Sequence, residues 1–475
     1  RKYFMQVDGD LAEQPAALYA DTLHDICTAC AAWASKHHVE IVALGFTSQR
    51  SSILPLDRNG QPLHNIITWY DKRSAGICAE MQSAYGDLLY SITGTRLTPV
   101  LSAPKMIWLK EHHPDLYDQA DKIVGIHDYL LLQSSGLAVT DASLASRSAL
   151  MAVRSLCWSE ELLQRSGLSR EKLCQILLPG SIVGQIAPDF ARRTGLPHNA
   201  KIITAGGDQQ CSVLGQGLFH AGAAGVTVGT GAYLAAVSDT PVFDPLQRLN
   251  LNAAITPGHW VLEASTLSSG SVYDWFHRQF YPEEQPQTNM HQINQDAHES
   301  PVGARGVIML PDLAGRGCPE WNNEARGTFF NLSFSTTRGD CARALLEGIA
   351  AEIADCHQVL RALDPRITEI RATGGLTKSD DFVQILSDMI KFPIKRCIME
   401  ETTAIGAFLA TAAALGWYAS AEDAYQVLSA RRNASHDRFE PVPAHAALYR
   451  RINALRQQLM QTLPHQALHG LLAET

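Results

Sequence analysis

Few residues in this chain combine reactive side chains with glycine-rich surroundings. Residues 205–210 (AGGDQQ) follow an apolar run and set Asp208 at the start of a helix. A carboxylate at a strand end can take the proton of a hydroxyl whose oxygen attacks phosphorus. The paired glycines let backbone approach a ligand closely, and open α/β sheets gather ligands at such strand ends. The other reading of Asp208 is an ordinary helix cap. Residues 229–233 (GTGAY) join two apolar β-type runs. Successive N–H groups in a glycine-rich turn make an anion nest, and the Thr230 hydroxyl can bond a phosphate oxygen; a plain hairpin turn is the alternative. Gly374 and Gly375 stand between a strand and a helix and leave room for a flat ring against backbone. Ser379 can cap that helix or touch a nucleotide. In SQRS (48–51), Gln49 and Arg50 can hydrogen-bond a polyhydroxylated substrate, or Arg50 is a surface arginine. WYDKR (69–73) reads as a structural ion pair of Asp71 and Arg73.

The elements needed to hold these residues follow from the pattern. The chain opens as a loop and then a helix led by Pro15, a residue suited to a first helical turn. Strands are expected over 40–46, 51–56, 66–69 and 201–205, with helices around 104–112 and 128–133. The second half restarts with strands over 226–228 and 232–237. A helix over 341–363, a strand over 369–373 and a helix over 380–391 come next. The apolar run 404–419 is too short to span a membrane and reads as a buried helix. Strands alternating with helices argue an α/β class. With 475 residues the chain exceeds one core, and the boundary falls near residue 220, giving domains over 1–220 and 221–475.

Composition removes several classes. A net charge of −9 without any basic cluster argues against nucleic acid and against an anionic membrane surface. The ten cysteines are scattered and fit a reducing, cytoplasmic setting. Cys27 and Cys30 form a C-x-x-C pair without a second ligand pair for a metal. With Leu23, Ile26 and Trp33 they are expected on one buried helix face.

Taken in order, SQRS, WYDKR, SAPKMIWLKEH, TDASLASRSAL, GGDQQ, VGTGAY, LAGRGCPEW, RALLEG, GGLTKSDDFVQILSD and EETTAIGA resemble the FGGY carbohydrate kinases, from about Val7 to Ala414. Val100 departs from the first family signature, and Asn331 and Cys341 from the second. The resemblance implies two actin-like (ribonuclease H-like) ATPase domains with the site in the cleft between them: a substrate-binding N-terminal domain and a nucleotide-binding C-terminal one. It implies Asp208 as general base, and Gln49, Arg50, Asp208 and Gln209 on the substrate, with Leu267 where glycerol kinases carry Phe. Gly229, Thr230 and Gly231 would bind phosphate, Gly374, Gly375 and Ser379 would line the adenosine pocket, and Gly315 and Gly317 would flank the nucleotide. ATP is the implied donor, with Mg2+ riding on its phosphates rather than in a protein cage. The family's D-x-G-T phosphate-loop hairpin does not precede Arg1, which is expected to reflect truncation rather than degeneracy.

The expected reaction is phosphorylation of a primary hydroxyl on a ketose or polyol of about three to six carbons. Gln49-Arg50 and GRGCPEW lean toward glycerol kinases, and TDASLASRS and WYDKR toward ketose kinases. A catalytically degenerate sugar or nucleotide sensor on the same fold is the principal alternative, and a chaperone or filament protein of the wider actin-like group the other. Family members are often dimers or tetramers, so a homo-oligomer is compatible with this chain.

Overall fold

Apolar, β-branched runs bounded by glycine and proline become the strands that carry the site. A computed structural model describes residues 5–281, 286–397, 401–431 and 437–463. The first half contains β1 (Gln6–Asp8), β2 (Leu11–Gln14), α1 (Ala16–His37), β3 (Ala43–Ser48), α2 (Ser102–His112), α3 (Ile126–Ser135), β4 (Ile182–Gln185), β5 (Lys201–Gly207) and α4 (Asp208–Gly215). Strands β4, β5 and β3 form one sheet, with β5 parallel to β3.

The second half contains β6 (Ala223–Val228), β7 (Ala232–Ser238), β8 (Asn250–Ala253), β9 (Trp260–Thr266), α5 (Gly270–Phe280), α6 (Arg338–Leu363), β10 (Glu369–Gly374), α7 (Asp380–Ile390), β11 (Ile394–Arg396), α8 (Thr402–Ala414), β12 (Asp437–Phe439) and α9 (Pro443–Thr462). Its seven-stranded sheet runs β8-β9-β7-β6-β10-β11-β12. The β6–β7 hairpin is antiparallel, whereas β10 lies parallel to β6. Helix α6 covers this sheet with Leu345, Leu346, Ile349 and Ile353, all fully buried. Thr337 and Asp340 close its start as a capping box, a feature worth about 1 kcal/mol.

The expected strands and helices are present, with three local differences. Residues 6–14 form a hairpin about Gly9 (φ +57°) rather than a loop, and β2 pairs onward with Ile66 and Ile67. The strand expected over 51–56 is confined to Leu54–Leu56, because Ser51 takes the left-handed φ of +71° and breaks the extended run. On α1 the buried stripe holds Cys27 and Ala34, while Ile26, Cys30 and Trp33 are exposed. Residues 23, 27, 31 and 34 follow one helical line, and 26, 30 and 33 follow another about a quarter of a turn away. Only the first line turns inward, where α1 packs on the helices over 126–135 and 188–194. Burial pushes the Cys27 thiol up to about 11, so it is no thiolate at neutral pH.

Helix α8 ties the two halves of the chain together. It follows six of the second sheet's seven strands in sequence yet packs on β3, β5 and α4. A Cβ at Gly406 would lie 1.8 Å from the Cys211 carbonyl oxygen, and one at Gly215 would lie 1.9 Å from that of Thr402. Only glycine permits this approach of backbone to backbone. No helix among the described residues is long and apolar enough to cross a membrane.

Candidate active site

Asp208 opens α4 at the C-terminal end of β5, where the pairing with β3 slips one residue between Thr204 and Gly206. The double glycine before it serves the protein's own packing. Gly206 has φ +114°, and a Cβ there would lie 2.1 Å from Ile255 Cδ1. A Cβ on Gly207 would lie 2.8 Å from Cδ of Arg50. Gly206 thus makes room for Ile255 and Gly207 for the Arg50 side chain. The Gly207 N–H donates to Ser143 Oγ at 2.9 Å, and that hydroxyl donates to Asp141 Oδ1 at 2.5 Å. Thr204 donates its hydroxyl to the other Asp141 oxygen. The TDAS segment is therefore the buried brace under Asp208.

Arg50 is the hub of the site. It donates two parallel bonds to Glu263, from Nη1 to Oε2 at 2.9 Å and from Nη2 to Oε1 at 3.2 Å. Its Nε lies 3.5 Å from Asp208 Oδ1, and its Nη1 lies 3.4 Å from Gln210 Oε1. Arg50 and Glu263 keep only 8% and 6% of their side chains exposed, against 31% for Asp208. The buried pair thus anchors a carboxylate that stays open to the cleft. Burial raises the Asp208 pKa above the ordinary carboxylate range, against the pull of Arg50. Burial acts the same way on Glu263, but Arg50 and Arg147 outweigh it and hold that carboxyl low.

Arg147 and Tyr233 complete the cluster. Burial pushes the Arg147 guanidinium down to about 10, although Glu263 opposes this, and its Nη1 is shut from solvent with no hydrogen-bond partner. Tyr233 pairs with Ser265, and Ala235 with Glu263, so Tyr233 and Glu263 share one face of the sheet. Burial first, then the Glu263 charge, raises the Tyr233 phenol. Below the cluster, Lys105 is fully buried and donates to the carbonyls of Ser51 at 2.9 Å and Val100 at 2.5 Å. It pins the SQRS turn, and desolvation pushes its pKa down to about 7.

The glycine turns of the second half converge beside this cluster. The N–H groups of Ser269, Gly270 and Ser271 donate to the Thr230, Gly229 and Thr230 carbonyls at 2.9, 2.8 and 3.1 Å. In planar trans peptides the N–H points opposite to the carbonyl, so the Thr230 and Gly231 N–H groups face away from α5. A Cβ on Gly231 would lie 2.6 Å from the Thr266 carbonyl oxygen, and one on Gly317 would lie 2.2 Å from that of Ser265. Gly315 takes φ +84° in the same loop. Gly374 has φ +107° and ψ 176°, and its Cβ would meet the Val228 carbonyl oxygen at 2.3 Å. Gly375 meets nothing within 4 Å and is exposed. Hairpin, loop and Gly-Gly turn thus lie against the same strand ends.

The remaining expected site residues take these places. Gln49 donates from Nε2 to the Tyr19 hydroxyl at 3.0 Å. Gln209 is half-buried and donates its N–H to Asp208 Oδ1 at 2.8 Å. Leu267 is half-buried in the turn from β9 to α5. Ser379 caps α7 by accepting from the Phe382 N–H at 3.4 Å. Asp71 and Arg73 do pair, and with Glu13 they fasten the first hairpin, since Asp71 also accepts from the Ala12 N–H at 2.6 Å. Glu263, Arg147 and Tyr233 received no role from the sequence. The signal for Glu263 was a lone carboxylate within the apolar run VLEAS, which must find a cation if buried.

Residues 11–215 match the N-terminal domain, and residues 224–415 the C-terminal domain, of the FGGY family of carbohydrate kinases. The chain belongs to that family, and it is a carbohydrate kinase with the two-domain actin-like, ribonuclease H-like α/β fold. It is 28% identical over 432 residues to a gluconokinase of Bacillus licheniformis, covering 89% of this chain and 83% of that protein. Against a glycerol kinase of Solidesulfovibrio magneticus the figures are 30% over 440 residues, 89% and 84%. The solved structure of a ligand-bound xylulose kinase from Lactobacillus acidophilus matches with a TM-score of 0.90 at 26% identity, over 98% of this chain and 92% of that one.

Proposed function

We propose that this kinase transfers the γ-phosphoryl group of ATP to a primary hydroxyl of a small ketose or polyol, with Asp208 as general base. The observation that carries the reading is the cleft-facing Asp208 carboxylate held 3.5 Å from an Arg50 that Glu263 fixes in place. Asp208 takes the proton of the acceptor hydroxyl as its oxygen bonds to phosphorus, and the bond to the ADP oxygen breaks. Its raised pKa brings the base closer to working pH, where general-base catalysis gains most. The buried Arg147 guanidinium, whose Nη1 has no hydrogen-bond partner, acts electrostatically on Glu263 and Asp208 and offsets charge developing beside them.

In this reading Gln49, Arg50, Gln209 and Leu267 shape the acceptor side, within a domain over residues 1–220. Gly229, Thr230 and Gly231 hold phosphate, Gly315 and Gly317 flank the nucleotide, and Gly374, Gly375 and Ser379 line the adenosine pocket, within 221–475. The outward N–H groups of Thr230 and Gly231 suit an anion. No group of three or more His, Cys, Asp or Glu able to hold a metal occurs among the described residues. In this reading Mg2+ would be held largely by the ATP phosphates and water and would offset phosphate charge.

A coupled ADP-release assay over glycerol, erythritol, xylulose, ribulose, ketohexoses and gluconate tests this. Strong turnover with one acceptor is expected. ATP binding without turnover on any of them would overturn the reading in favour of a sensor.

A further inference from the structure

Away from the cleft, a groove of about 460 Å³ opens where α6, α7 and α9 meet, a size within the usual range of small-molecule pockets. Helix α6 packs on the strands that carry Glu263 and Tyr233 and turns another face to this groove. The walls present His357 and Arg361 from α6, Lys391 and Phe392 just past α7, and Arg450 and Asn453 from α9. Three polar atoms here are shut from solvent without a hydrogen-bond partner: His357 Nε2, Arg361 Nε and Asn453 Oδ1. A buried polar group left in that state is costly, so three within one groove point to a ligand that satisfies them.

The side chains are held in place. The Arg361 guanidinium stacks 4.3 Å from the Phe392 ring centroid, and the His357 ring meets the edge of Phe392 at 5.6 Å. His357 is 4% exposed, and burial, with Arg361 adding to it, pushes its pKa down to about 4, so the ring is neutral and offers one donor and one acceptor. Arg361, Lys391 and Arg450 bring three positive charges. The single carboxylate in the wall, Asp355, is already held by Arg456. Asn453 Oδ1 can only accept. An anion without a donor leaves Asn453 unsatisfied, and a neutral polyol does not call for three cations.

We propose that this groove binds a phosphate monoester bearing hydroxyl groups, the phosphate meeting Arg361, Lys391 and Arg450 and a hydroxyl donating to Asn453 Oδ1. The site is separate from the cleft, so its failure leaves the kinase reading untouched. Titration calorimetry on the whole chain, with a non-hydrolysable ATP analogue present, tests it with glycerol 3-phosphate, xylulose 5-phosphate, inorganic phosphate and glycerol. Binding of an ester about tenfold tighter than inorganic phosphate is expected, with no competition by glycerol. Arg361→Gln should weaken the ester by about tenfold, in line with one charge-assisted hydrogen bond, and Asn453→Leu should erase its advantage over inorganic phosphate. The exposed Lys391→Gln, which puts folding at no risk, should weaken it about threefold and leave kinase turnover unchanged. The proposal is overturned if neither ester binds, if inorganic phosphate binds as well, or if all three variants bind the ester as the unmodified chain does.

Discussion

The two walls of the cleft are made of different materials. On the Asp208 side the site is built from charged and polar side chains, Arg50 beside Asp208 with Asp141 and Ser143 below, and Arg50 reaches across to Glu263 of the second sheet. On the hairpin side it is built from backbone, with glycines at 231, 317 and 374 placed where a Cβ would strike a carbonyl. Side-chain charge can be retuned without moving the chain, whereas backbone packing cannot. In the proposed reading, the first wall suits variation in the acceptor, and the second suits a constant donor.

The sharpest break in this comparison is Asp208→Asn. It should lower kcat/KM by about 10²–10⁴-fold while calorimetry finds ATP bound with unchanged affinity. Next comes Glu263→Gln, which strands the buried Arg50 charge. A loss of about 3 kcal/mol in denaturant stability is expected, with a raised KM for the acceptor and little change for ATP. On the backbone wall, Gly374→Ala forces a side chain into glycine-only dihedrals and against Val228, at a cost of about 1–3 kcal/mol. It should raise KM for ATP and spare the acceptor, and Gly375→Ala, with open space around its Cβ, should do neither. The smallest effects concern pH. The acid limb of kcat/KM should fall above 3.8, the ordinary value for aspartate, because burial raises Asp208. For Lys105 the folded pKa of about 7 lies below the unfolded value near 10.4. The unfolded chain therefore holds more protons between those values, and stability rises with pH across that window. Lys105→Met should flatten that rise in denaturation midpoints measured from pH 7 to 10.

Much of this was legible in the sequence, and the boundary of legibility is physical. The β6–β7 hairpin, β10 and its Gly-Gly turn could be read because glycine and apolar runs mark them locally. Asp208 and Arg50 stood at strand ends, where periodicity breaks off. Glu263 could not be assigned because its partner lies 213 residues away, a distance that no local pattern crosses. Arg147 was hidden within a serine-rich segment whose role depends on what packs above it. The α1 face was misread because two helical lines, 23-27-31 and 26-30-33, carry similar hydrophobicity. Only the neighbouring helices decide between them.

The crossing of α4 and α8 bears on how such a cleft can move. Two rods whose backbones touch at Gly215 and Gly406 behave as an axle and its bearing. Drawing these helices apart would break both backbone contacts at once, at Gly215 with Thr402 and at Gly406 with Cys211. The Thr403 hydroxyl donates to the Asp208 carbonyl at 3.3 Å beside that joint. Asp208 thus starts from the seam that α4 and α8 close, so its backbone is fixed by the same joint that binds the two halves of the chain.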